Sequence, residues 1–140
     1  MSEQNKAIIR AIPEKVINTG DFAAASQYCI PDFVDHAAPP GFPPGVAGLT
    51  AFFTMLRAAF PDLHYTVEDE IAEGDKVTQR VTARGTMKGE FLGMKPTGKT
   101  ATWSEIHIAR LANGKVVEHW ATVDQLGMLQ QLGLAPMPGQ

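Results

Sequence analysis

The apolar residues of this chain change their spacing at Pro61, and that change limits the fold more than any single motif. Before it they recur at helical intervals. Ile8, Ile9, Ile12, Val16 and Ile17 predict a first helix over about residues 4–18, bent or tightened at Pro13, which has no N–H to give. Asn18-Thr19-Gly20 stops it, Asp21 reads as the N-cap of a shorter helix reaching Tyr28, and Pro31 ends that one. Leu49, Phe52, Phe53, Leu56 and Phe60 mark the core-facing side of a third helix, closed by Pro61. Beyond Pro61 the pattern alternates. Tyr65, Val67, Asp69 and Ile71, then Val77, Val81 and Ala83 against Thr78, Arg80, Thr82 and Arg84, predict two antiparallel strands joined near Glu73-Gly74-Asp75. Two more strands are expected over about 100–111 and 115–123, and a last helix carries Leu126, Leu129 and Leu132. Helices followed by a four-stranded antiparallel run make an α+β plan, not an alternating one.

Two segments are too rich in proline and glycine for regular structure. AAPPGFPPGVAG, which follows the short extended piece Phe33-Val34-Asp35-His36, is expected to form a loop at a pocket rim. Residues 87–99 hold Gly89, Gly93, Pro96 and Gly98 around Phe91, Leu92 and Met94, and suit an ordered excursion over a pocket mouth. The 140 residues make one domain, expected over 1–133, with a flexible tail over 134–140.

Composition narrows the function classes. A net charge of −3 without any Lys or Arg run lacks the footprint of a nucleic-acid binder. No apolar stretch is long enough for a membrane span, and the N-terminus MSEQNKAIIR lacks the pattern of a secretory signal, so a cytoplasmic protein is expected. The single Cys29 sits in a stretch read as helical, with no base or cation nearby, and reads as core packing. There is no dinucleotide fingerprint, no P-loop and no GxSxG nucleophile. His36, His64, His107 and His119 show no metal-ligand spacing, so neither a metal nor a cofactor is expected.

The chemistry concentrates on the hairpin at Asn113-Gly114. Trp103, Glu105 and His107 share one strand face, and an aromatic, a carboxylate and an imidazole in that row suit a pocket wall. What faces them depends on the turn. A two-residue turn pairs Leu111 with Val116 and sets the three beside Asp124, Thr122 and Trp120. A three-residue turn bulged at Gly114 pairs Leu111 with Lys115 and sets them beside Val123, Ala121 and His119. Sequence leaves both open. The opposite face, with Ile106 and Ile108, needs cover from helices or from a second copy, as in a homodimer.

NTGD at 18–21, PDFVDH at 31–36, FPDL at 60–63, FLGMKPTGK at 91–99 and IHIARLANGKVVEHW at 106–120 together resemble the SnoaL-like polyketide cyclases of the nuclear transport factor two-like superfamily, over nearly the whole chain. The resemblance implies a conical barrel, a curved antiparallel sheet closed by N-terminal helices, dimerised through the sheets and working without metal or cofactor. It implies an intramolecular aldol closure of an anthracycline precursor ester, in which a carboxylate moves the proton and a histidine polarises the substrate. His107 and His119 match the family's histidines. Its acid/base aspartate falls on Ala121. The match favours the bulged turn, which would put Glu105 opposite Ala121 as a replacement acid.

The expected catalytic residues are therefore His107 and Glu105, supported by His119. The expected substrate-binding residues are Trp103, His36, Phe33, Phe91, Met94 and Trp120, around an apolar small molecule. Trp120 reads equally as core on the helix side. Asp124 reads as the N-cap of the last helix before it reads as a site residue, and His64 as structural or exposed. Two other readings stay open: a binding protein without catalysis, which the missing acid at Ala121 would allow, and an epoxide hydrolase-like enzyme, which would need an Asp-Arg-Asp set.

Overall fold

A computed structural model describes residues 2–139. Helix α1, Ser2–Ile12, runs into a single π-helical turn, Pro13–Ile17. Pro13 widens the helix instead of tightening it: without an N–H it breaks the regular ladder, and Asn18 N reaches back five residues to the Pro13 carbonyl at 2.9 Å. The end of this turn is tied to the sheet. Asn18 donates its side-chain amide to the Tyr65 carbonyl at 2.9 Å and accepts from Tyr65 N at 2.7 Å.

The expected second helix is a 3-10 segment, Phe22–Gln27, and Asp21 makes no side-chain cap to it. Thr19 Oγ1 takes the Asp21 N–H instead. Cys29 and Pro31, read as helix and helix stop, belong to strand β1, Cys29–Asp35, which is longer than the extended piece expected. Pro31 is tolerated because β1 is an edge strand. Helix α2, Gly45–Ala59, follows the proline-rich loop. Strands β2, His64–Glu73, β3, Lys76–Thr86, β4, Thr100–Ala112, and β5, Lys115–Val123, form the antiparallel run, and helix α3, Gln125–Gln131, closes the chain.

The sheet order is β1-β5-β4-β3-β2. It has five strands where four were expected, and it is mixed, because β1 lies parallel to β5. Register shifts in β1, in β2 and in β5 bend it. The two edges, β1 and β2, do not pair, so the sheet stays open and the helices close its concave side. Among the described residues no helix is long and apolar enough to cross a membrane.

Alternation sets the inner face. Val77, Val81, Ala83, Trp103, Glu105, Ala109 and Leu111 are buried there, while Thr102, Ser104 and Ile106 are exposed on the other side. Phe60, at the end of α2, is fully buried against Trp103 and Phe91. Gly85 makes this possible, since a Cβ there would stand 2.9 Å from that of Phe60. Leu56 and Phe60 enter the core as expected, whereas Leu49, Phe52 and Phe53 are only partly buried and face an open space.

At the far end Asp124 caps α3, accepting from Gly127 N at 2.9 Å. Gln131 brackets Thr102 of β4, accepting from its N–H at 2.8 Å and donating to its carbonyl at 2.7 Å. Past α3 the chain stays attached: Leu134 packs on the core, and Gln130 donates to the Pro136 carbonyl at 3.1 Å.

Candidate active site

The hairpin joins both turn alternatives. Asn113 and Gly114 have positive φ, 53° and 77°, and close a two-residue turn that pairs Ala112 with Lys115 and Leu111 with Val116. One extra residue, Val117, is then inserted before Arg110 pairs with Glu118. The turn is the tight one, but the bulge restores the odd-numbered face. His119 therefore sits opposite Ala109, Ala121 opposite His107, and Val123 opposite Glu105. Glu105 is not across from Ala121, as the bulged turn alone would have it.

Between this face and the helices lies a cavity of about 440 Å³. Most of its wall is apolar, from Ile9, Phe33, Phe52, Phe53, Phe91 and others. Its polar groups gather at one place. Glu105, with 4% exposure, accepts at Oε2 from the Tyr65 hydroxyl and from Trp103 Nε1, each at 2.8 Å. Its Oε1 is 2.7 Å from His107 Nε2. His107 Nδ1 is 2.9 Å from His119 Nε2, and His119 Nδ1 is 2.8 Å from Asp35 Oδ1. That same oxygen also accepts from Ala37 N at 3.0 Å. A continuous line of hydrogen bonds thus crosses β4, β5 and β1, from one carboxylate through two imidazoles to another.

Proton counting limits this line. The three contacts need three protons along the line, and with both end carboxylates as acceptors these sit on the four ring nitrogens, two of them on one imidazole. The line as a whole carries one negative charge. Burial would raise the Asp35 carboxyl, but the hydrogen bond and charge of His119, with the Ala37 N–H, outweigh it and hold Asp35 below its ordinary value. Burial, and then the charge of Glu105, raises Tyr65 well above the usual phenol range, which keeps it a donor. The Cys29 thiol is pushed up to about 12, chiefly by burial, in keeping with a packing role. The imidazoles and carboxylates pair along a line, each nitrogen engaged by the next group. Among the described residues no three His, Cys, Asp or Glu side chains gather to hold a metal ion.

Residues 7–132 match the family model described as SnoaL-like polyketide cyclase. The chain belongs to this family. It is 29% identical over 118 residues to the nogalonic acid methyl ester cyclase of Streptomyces nogalater, covering 83% of this chain and 88% of that one. It is 28% identical over 136 residues to the aklanonic acid methyl ester cyclase DnrD of Streptomyces peucetius, covering 95% and 92%. Among solved structures, wild-type IdmH of Streptomyces antibioticus superposes with a TM-score of 0.81 at 34% identity, covering 93% of this chain and 99% of that one.

Within this SnoaL-like domain, Trp103, Phe33 and Phe91 line the cavity together with Glu105, His107 and His119. Met94 does not line it; it pairs with Phe91 across the Leu92-Gly93 turn and packs on the core. His36 and Trp120 lie on the opposite face, because the bulge turns even-numbered residues of β5 outward and β1 follows in register. There they stack at 5.0 Å between ring centroids, with His36 Nε2 2.7 Å from Glu118 Oε2. His64 is exposed. Asp124 is a cap and does not reach the cavity wall.

Sequence reasoning missed Asp35, Tyr65 and Gln79 as cavity residues. Asp35 had a usable signal: it stands two residues after Phe33 in an extended piece, so the two share a face. Alternation places Tyr65 on its strand, but nothing local in the sequence names its partner. Gln79 is the cross-strand neighbour of His107, 4% exposed, with its amide held by Glu70 at 3.1 Å and Glu70 held in turn by Arg10.

Proposed function

We propose that this SnoaL-like protein is a cofactor-independent cyclase that closes a ring in an apolar polyketide ester by moving a proton beside a carbonyl. The observation that carries this reading is the line Glu105–His107–His119–Asp35 set into an otherwise apolar cavity wall. Ring closure of the aldol type needs a base for a C–H proton and a donor for the oxygen that becomes an alkoxide. Linked carboxylates and imidazoles supply both. An apolar enclosure strengthens such groups by excluding water. Trp103, Phe33 and Phe91 are the substrate-binding walls on this reading. The relatives named as methyl ester cyclases support the substrate class.

The test is incubation of the purified protein with aklanonic and nogalonic acid methyl esters, followed by chromatography for the cyclised isomer. We expect turnover, and a loss of about 10²–10⁴-fold in kcat for His107→Asn with ester affinity nearly unchanged. Tight binding of either ester without turnover would favour the binding-protein reading. No arginine is among the described residues that line the cavity, so the epoxide hydrolase-like set has no counterpart there.

We also propose a homodimer formed through the outer sheet face. Ile106 is 41% exposed there, in a row with Ile108 and Trp120, whose ring is partly covered by His36 and Lys76. Light scattering should report twice the chain mass, and Ile106→Glu should reduce it to one. We expect the protein to work in the cytoplasm, where its one cysteine would stay reduced.

A further inference from the structure

Two carboxylates line the cavity, Asp35 and Glu105, and they are not equally free to react. Glu105 is 4% exposed, and both its oxygens are engaged: Oε2 by Tyr65 and Trp103, Oε1 by His107. A carboxylate so held keeps neither oxygen clear of a protein partner and has little room to approach a carbon acid. Asp35 is different. Its side chain keeps 17% exposure, and Oδ1 takes both of its hydrogen bonds, from His119 and from Ala37 N. Oδ2 accepts none from any described residue. On β5, two residues beyond His119, Ala121 adds only a methyl group to the cavity wall.

We infer that Asp35 is the catalytic residue that exchanges the substrate's proton, through its free Oδ2, and that Glu105 is a positioning residue at the buried end of the line. The inference rests on the proton-transfer reading proposed above. The groups facing Asp35 are His119 from β5, His107 from β4 and the Cys29 thiol from its own strand.

The steps balance without any further reactant. Oδ2 takes a proton from the carbon beside a carbonyl, and the C–H electron pair becomes the enolate. The enolate carbon attacks a second carbonyl carbon of the same molecule, so that a C–C bond forms and the C=O π pair moves onto oxygen. That alkoxide takes back one proton from Asp35, and the product is an isomer of the substrate. While Asp35 holds the proton, the shared proton between the histidines can pass from His119 Nε2 to His107 Nδ1 over 2.9 Å. The imidazolium then stands against Glu105, 2.7 Å away. Glu105 thus answers the change in charge without meeting the substrate.

Two measurements decide this. The native protein is treated with phenyl glycidyl ether, whose epoxide a free carboxylate oxygen opens to form a hydroxy ester, and the adduct is mapped by mass spectrometry. The native chain, Asp35→Asn and Glu105→Gln are also assayed for binding and closure of the two methyl esters. We expect the adduct on Asp35, with Glu105 bare. We expect a loss of about 10³-fold in kcat for Asp35→Asn, a smaller loss for Glu105→Gln, and ester Kd within about threefold of native in both. An adduct on Glu105 alone, no adduct on Asp35, or more than about a tenth of native turnover in Asp35→Asn would overturn the assignment. If the native chain closes neither ester, the cyclase reading fails by itself. The mapping, which needs no turnover and no folded variant, then still decides whether Asp35 is the reactive carboxylate.

Discussion

Asp35 Oδ1 and His119 Nδ1 meet at 2.8 Å across the parallel pair of β1 and β5, joining the edge strand to the centre of the cavity wall. Residues 84 positions apart in sequence are coupled through one proton. The bond holds the His119 ring so that its other nitrogen faces His107. It also ties the start of the proline-rich loop to the site, since Ala37 N shares the same oxygen.

This pair sets a sign for acid stability. The folded Asp35 carboxyl lies below its ordinary value of 3.8, so the unfolded chain binds more protons than the folded one in that region, and stability rises with pH there. The contribution is complete above the ordinary value and is lost as pH falls through the lower folded value. Asp62, held down first by the Thr86 N–H, and Glu118, held down by His36 and Arg110, act in the same sense. Asp35→Asn should therefore flatten, without abolishing, the slope of urea-unfolding free energy against pH below about pH 5. An unchanged slope would mean that Asp35 is equally acidic in the unfolded chain.

Tyr65→Phe removes one of three donors to a buried carboxylate. Hydrogen bonds to charged groups contribute about 1.5–3 kcal/mol, and a loss of that size in urea denaturation is expected. Turnover should suffer less than in His107→Asn, because Trp103 still holds Glu105. A midpoint equal to the native one would show that another donor takes the place of the hydroxyl.

Ala121→Asp puts a carboxylate on the cavity wall opposite His107, where the family resemblance expects the acid. Placed in the Asp35→Asn background, it should recover at least about tenfold of the closure rate lost, the lower part of what a positioned base supplies. A folded double variant that binds ester yet gains nothing would mean that the proton must be taken from the β1 side.

Asp124→Ala should cost about 1 kcal/mol through the lost cap and leave kcat untouched. Chemical denaturation and the ester assay separate the two effects. A fall in kcat at unchanged stability would return Asp124 to the site.

The sequence carried most of the elements, because their signals are local. The switch of spacing at Pro61 marked where helices give way to strands, and Asn113-Gly114 marked the tight turn. Tertiary context decided the rest. Pro31 looked like a stop, but an edge strand can hold a proline, so β1 and its parallel pairing stayed hidden. The bulge at Val117 has no glycine or proline to announce it, and it alone decides that His119, and not Trp120, faces the cavity. His36 was misplaced for the related reason that its neighbour Asp35 faces inward. Asp35 itself could be placed on a strand face, yet its partner came from a strand whose register was undecided.

The extra residue at 117 has an effect on how this molecule can be altered. Deleting Val117 would leave Leu111 with Val116 and Arg110 with Glu118, as they already are, so every side chain of β5 would keep its side. The local coil of the strand would relax, and with it the stretch of β1 that steps from Cys29 opposite Val116 to Val34 opposite Glu118. A single codon lost here would therefore reshape the chamber from the edge that carries Asp35, while His119 and Ala121 keep facing inward.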